Sequence, residues 1–135
     1  MTEIRGKDKQ MLPPKPIRVL VADSHEMMRS GLAIFMDVFE DLELVGEAKN
    51  GTEALYLCAQ LQPDVVLMSL RLPPSDGLLI TRMICQNYPQ IHVIILTSSN
   101  HIEDAQAALL AGASSYIMME ISVDDIAESI RAAAN

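Results

Sequence analysis

Ile17-Arg18-Val19-Leu20-Val21-Ala22 runs directly into Asp23-Ser24. A short apolar, β-branched run ending on helix-capping residue types reads as a buried strand feeding a helix. Met28, Leu32, Phe35, Met36 and Phe39 then follow at helical spacing. The unit recurs along the chain. Leu42–Ala48 reads as a second strand, and Asn50-Gly51 precedes a helix marked by Ala54, Leu55, Leu57, Cys58 and Leu61. Pro63-Asp64 opens a third strand over Val65-Val66-Leu67-Met68, and the loop Leu72-Pro73-Pro74-Ser75-Asp76-Gly77 leads into a helix through about Tyr88. Ile91–Thr97 and Ile102–Ala111 supply the fourth strand and helix, with Gly112 suited to the C-cap. Ser115–Met118 is the fifth strand, and Ser122 with Asp125 three residues on forms a capping box for a last helix to Ala134. Strands apolar on both faces need cover on both faces. The expected fold is therefore α/β: a doubly wound, five-stranded parallel sheet with five helices.

The 135 residues suit one domain; 18 acidic against 10 basic side chains leave a formal net charge of -8. No apolar run approaches the roughly 20 residues of a membrane helix. The first 16 residues lack the apolar core of a signal peptide, so the reading is cytoplasmic with no membrane partner. An acidic surface repels a polyanion, which argues against direct nucleic-acid binding. Residues 1–16 hold four basic and two acidic side chains and end in Pro13-Pro14-Lys15-Pro16, a flexible leader; residues 17–135 form the domain and carry -10. Cys58 and Cys85 fit neither a disulfide framework nor a metal spacing and read as small core residues. Nine scattered methionines and no tryptophan imply an aliphatic, Met-filled core. His25, His92 and His101 show no ligand spacing and read as surface or capping groups.

In a doubly wound sheet the site lies at the carboxyl ends of the strands. Here that means Asp23 and Ser24, Ser69, Thr97 and Met119. A nucleotide or flavin would want a Gly-rich first turn. Asp23-Ser24-His25-Glu26 has no glycine and sets carboxylates against phosphate.

Val-Leu-Val-Ala-Asp-Ser-His (19–25), the stretch from Asp64 to Gly77, Ile-Leu-Thr-Ser (95–98) and the stretch from Gly112 to Glu120 agree in order and spacing with one family. Together they resemble a response-regulator receiver domain of the flavodoxin-like, CheY-like fold, above all the receivers of LuxR-type (NarL/FixJ) transcriptional regulators. The resemblance spans about Ile17 to Asn135. It implies a phosphorelay module of two-component signalling. Two acids after strand one hold Mg²⁺, and an aspartate ending strand three accepts phosphate from a histidine kinase. A hydroxyl ending strand four and a lysine after strand five grip the phosphoryl group, and an aromatic on strand five completes the switch. Asp23 matches the first acid, Thr97 the hydroxyl, Tyr116 the aromatic, and Pro73 with Asp76-Gly77 the loop. Ser24 stands at the second acid, Ser69 at the phospho-acceptor and Met119 at the lysine.

These departures bear on the chemistry. Phosphoryl transfer of this kind needs an ionised carboxylate nucleophile, whereas Ser69 offers a neutral hydroxyl with a base only if His25 folds inward. Mg²⁺ wants an octahedron of oxygens, and Asp23 alone is a weak ligand at best, or simply a helix cap. Met119 cannot meet a developing phosphoryl charge. The expectation is a pseudo-receiver that is not phosphorylated: no enzyme, no cofactor, weak or absent Mg²⁺. It would serve as an interaction or dimerisation module of a LuxR-type regulator, its partner a protein or a second copy. DNA would be reached through an output domain absent from this chain, whose last helix ends at Ala132-Ala133-Ala134-Asn135 as at a linker. Competing readings are a working phosphorelay receiver (phosphorylated by unusual chemistry, or an engineered variant of a normal one) and a small-ligand sensor in the vacated pocket. Thr97 and Tyr116 are either a surviving switch pair or strand packing, and Ser69 reads as bonding nearby backbone.

Overall fold

A computed structural model of the chain describes residues 15–98, 101–120 and 122–135. The expected leader falls almost wholly on residues 1–14, outside the described residues. Each apolar run becomes a strand: β1 (Ile17–Ala22), β2 (Leu42–Ala48), β3 (Val65–Ser69), β4 (His92–Thr97) and β5 (Ser115–Met118). Between and after them lie α1 (Glu26–Val38), α2 (Gly51–Leu61), α3 (Gly77–Asn87), α4 (Ile102–Leu110) and α5 (Val123–Ala134). All neighbouring strands are parallel, in the order β2-β1-β3-β4-β5. Leu20 pairs with Val66 and Val66 with Val93. The order reverses between β1 and β3, which makes the crevice above those strands the expected ligand position.

The sheet divides the interior into two half-cores, because successive strand side chains point to opposite faces. Leu20, Val66, Met68 and Ile95 face one way, onto Ala54 and Cys58 of α2, Ile80 and Ile84 of α3, and Ala108 of α4. Val19, Val21, Leu67 and Ile94 face the other, onto Leu32, Phe35 and Met36 of α1 and Ile126, Ala127 and Ile130 of α5. Helices thus cover both faces, as the apolar central strands β1, β3 and β4 require. Both cysteines are free; Cys58 is fully buried, which pushes its thiol pKa up to about 12.

Local chemistry explains where the elements begin. Asn50 accepts a hydrogen bond from the Glu53 N–H at 2.9 Å, so α2 starts at Gly51, ahead of the apolar positions that first reveal it. Asp76 caps α3 through the Leu78 N–H at 3.0 Å. Ser122 caps α5 through the Asp125 N–H at 3.2 Å, as its sequence suggests. The first helix corrects an expectation. Asp23-Ser24 does not cap it; the N-cap residue is His25. The Asp23 carboxylate instead accepts the His25 N–H at 2.8 Å, a side-chain-to-backbone turn that extends the loop by a residue. The Leu72–Gly77 stretch also holds more order than a loop: Arg71–Leu72 and Ser75–Asp76 pair as a two-residue antiparallel ribbon around a cis Pro73-Pro74 bond. Gly112, with φ of 110°, follows α4 in the left-handed region where a side chain would be strained.

One polar clamp ties the end of the chain to its first third. Arg131 on α5 donates to both carboxylate oxygens of Asp41 (2.6 and 3.0 Å) and to Glu128 at 3.0 Å. Its guanidinium lies 5.3 Å from the centroid of Phe39, which meets Phe35 edge-on. Among the described residues no helix is long and apolar enough to cross a membrane.

Candidate functional site

Asp23, Ser69, Thr97 and Met119 line one cleft of about 670 Å³ at the carboxyl ends of β1, β3, β4 and β5. The parallel sheet brings them together because each follows or ends a strand. Ser24 and Tyr116 do not line it. Ser24 is half-buried in the β1–α1 loop, and Tyr116, half-buried on β5, packs against the half-core under α2, α3 and α4.

Asp23 is 5 % exposed and held from several sides. Its N–H donates to the Ala48 carbonyl at 2.9 Å, and its own carbonyl accepts from the Arg29 guanidinium at 2.8 Å. Arg29 is in turn paired with Glu47 at 3.3 Å. The Asp23 Oδ1 that takes the His25 N–H also lies 3.1 Å from Nδ1 of the same histidine. That ring is mostly exposed and turned to Asp23.

Ser69 ends β3 with its hydroxyl donating to the Arg71 carbonyl at 2.8 Å. The backbone there is pressed against the start of α3: a Cβ on Gly77 would fall 2.3 Å from the Ser69 carbonyl oxygen, and the Gly77 N–H donates to Leu70 at 3.1 Å. Only glycine permits that approach. Thr97 is buried, and its carbonyl accepts the Met119 N–H at 2.8 Å, which fixes the end of β5 beside β4.

The cleft contains further groups that the strand ends alone did not reveal. Arg71 comes from the ribbon after β3, and His101 and Asp104 from the start of α4. Met27 and Met28 come from the first turn of α1. The available signal was position, since all five stand within seven residues of a strand's carboxyl end. His25 and His101 do occupy N-cap positions, but neither side chain makes a capping bond. With neutral imidazoles, Asp23 and Asp104 against Arg71 leave the lining one negative charge.

For a hard cation such as Mg²⁺ the donor set is thin. Among the described residues no three His, Cys, Asp or Glu side chains stand together to hold a metal ion. One oxygen of Asp23 is already engaged by His25. The octahedron of oxygens that Mg²⁺ demands does not fit these residues.

Residues 19–131 match the family described as the response regulator receiver domain. The chain is 41 % identical over 118 residues to the transcriptional regulatory protein LiaR of Bacillus subtilis, covering 87 % of this chain and 56 % of the relative. It thus spans about half the length of that curated relative. Among solved structures, the signal receiver domain of the putative response regulator NarL from Mycobacterium tuberculosis superposes with a TM-score of 0.85 at 26 % identity, covering 90 % of this chain and 98 % of that one. A LuxR-family two-component response regulator from Aurantimonas sp. SI85-9A1 gives 0.83 at 29 % identity, covering 87 % and 84 %.

Proposed function

The chain belongs to the response regulator receiver domain family, close to the LuxR-type regulators, and from that premise we propose that it is a receiver whose cleft does not take phosphate. It acts as a regulatory interaction module of a LuxR-type transcription regulator and reaches DNA through an output domain. The observation that carries this reading is the state of Ser69. Its hydroxyl donates its proton to a backbone carbonyl, at the strand end where a phospho-accepting receiver presents a carboxylate. A neutral hydroxyl so engaged is a poor nucleophile. Met119 supplies a thioether where a cation would offset phosphoryl charge. The pocket misfits Mg²⁺, so Mg²⁺ takes no part in this reading, in which the domain is a signalling module and not an enzyme.

Switching then depends on a partner that favours one conformation, since a binder shifts an equilibrium only by its differential affinity. A second copy of the chain is one such partner. Met27, Ile34 and Val38, exposed at 89, 70 and 71 %, form a stripe along the outside of α1, which supports self-association. Sedimentation velocity checks it: the wild type is expected to dimerise with micromolar or weaker affinity and Ile34→Glu to remain monomeric. A wild type that stays monomeric throughout would remove self-association from the reading.

The decisive experiment is incubation with acetyl phosphate and Mg²⁺ followed by intact-mass measurement. The wild type is expected to carry no stoichiometric phosphate adduct. The triple variant Ser24→Asp, Ser69→Asp, Met119→Lys is expected to acquire one, because the scaffold around the pocket is retained. An adduct on the wild type would instead establish a working phosphorelay receiver.

A further inference from the structure

Three methionines line the cleft from segments far apart in the chain. Met27 and Met28 stand in the first turn of α1, whereas Met119 follows β5. Met28 and Met119 are half-buried against the same α1–α5 half-core, while Met27 projects into solvent. Two imidazoles, His25 and His101, line the same walls.

The His25 ring is already oriented. Its Nδ1 lies 3.1 Å from Oδ1 of the buried Asp23, which leaves Nε2 for a further ligand. A carboxylate on one ring nitrogen with the ion on the other is the outer-shell arrangement typical of metal-binding histidines. The net negative lining favours a cation. Thioether sulfur and imidazole nitrogen select against hard ions such as Mg²⁺ and in favour of soft ones such as Cu(I).

We propose that this cleft binds Cu(I) through the thioethers of Met28 and Met119 and Nε2 of His25, with Met27 closing over the ion from the mouth. The three ligands are neutral, so the ion keeps its single positive charge beside the Asp23 carboxylate, which balances it. The site shares the cleft with the proposed function but not its premise. Soft-metal binding does not depend on whether Ser69 accepts phosphate, and the two are tested by different measurements.

The test uses Ag⁺ as a redox-inert probe, titrated calorimetrically into the protein carrying isotope-labelled methionine methyl groups. Cu(I) is measured separately under anaerobic competition with bicinchoninate. One equivalent of each ion is expected to bind, and the Met28 and Met119 methyl resonances to shift. Met28→Leu combined with Met119→Leu conserves volume, and so the fold. That variant is expected to lose affinity by about ten-fold or more, as is His25→Gln. The free thiols are the rival ligands, so Cys58→Ala and Cys85→Ser are expected to leave affinity unchanged. Absence of binding, binding of Ag⁺ without Cu(I), or binding lost with the cysteines while the methionine methyls stay unmoved would each overturn the assignment. If the double leucine variant does not fold, the wild-type methyl shifts decide the question.

Discussion

The side chains of Asp23, Ser69 and Asp41 each owe their state to one or two neighbours. The Asp23 carboxylate is turned to His25, and the Ser69 hydroxyl to the Arg71 carbonyl. Asp41 is the case where the neighbour changes an ionisation. The Arg131 guanidinium, bonded to both its oxygens, holds the Asp41 carboxyl below its ordinary value of 3.8 despite some opposing desolvation. A carboxylate with a depressed folded-state pKa stabilises the protein above its unfolded pKa. That contribution is lost as pH falls through the folded value. Arg131→Met keeps the packing of the stem and removes the charge. The gap in urea midpoint between wild type and Arg131→Met is therefore expected to be constant above about pH 5 and to shrink below about pH 4. A gap unchanged down to about pH 2 would show that Asp41 is not the group responsible.

At the scale of elements, two glycines separate the local from the tertiary demand. Gly31 sits in the exposed middle of α1 and a Cβ there would meet nothing within 4 Å, so Gly31→Ala is expected to stabilise by about 0.5–1 kcal/mol. Gly77 opens α3 against the Ser69 and Leu70 carbonyls, so Gly77→Ala is expected to cost about 3 kcal/mol and to displace the end of β3. Urea denaturation of both variants checks the opposite signs. Strand positions were legible in the sequence because each is a short, mainly apolar run bounded by turn or capping residues: β1, β2 and β5 begin and end where the residues say. Helix starts were less so, since the hydrogen bonds of Asp23 and Asn50 move a boundary by one and three residues respectively without altering any periodicity. The cleft positions Asp23, Ser69, Thr97 and Met119 were legible from topology alone. Arg71, His101 and the first-turn methionines were not, because their place depends on how loops and helix ends turn over the strands. Nothing in apolar spacing distinguishes Met27 at a cleft mouth from a methionine in the core.

For the molecule as a whole, the sheet joins its two half-cores. Ile84 on α3 and Ile130 on α5 are both fully buried, on opposite faces. Ile84→Ala and Ile130→Ala are each expected to cost about 3 kcal/mol. Each variant is nevertheless expected to unfold in one transition, because the strands between the half-cores are shared. Coincident urea curves from far-ultraviolet circular dichroism and from tyrosine fluorescence check this, and separated curves would show that the faces melt independently. The same arrangement constrains the order in which the chain can fold as it is synthesised. β1 is made early, yet one of its neighbours in the sheet, β3, begins only at Val65, and the helix that helps cover its Val19 and Val21 face begins at Val123. On a ribosome the first strand therefore waits, part of its apolar surface uncovered, until nearly all the described chain has emerged. The Arg131–Asp41 clamp, which joins residues 90 apart, closes among the last contacts to become available.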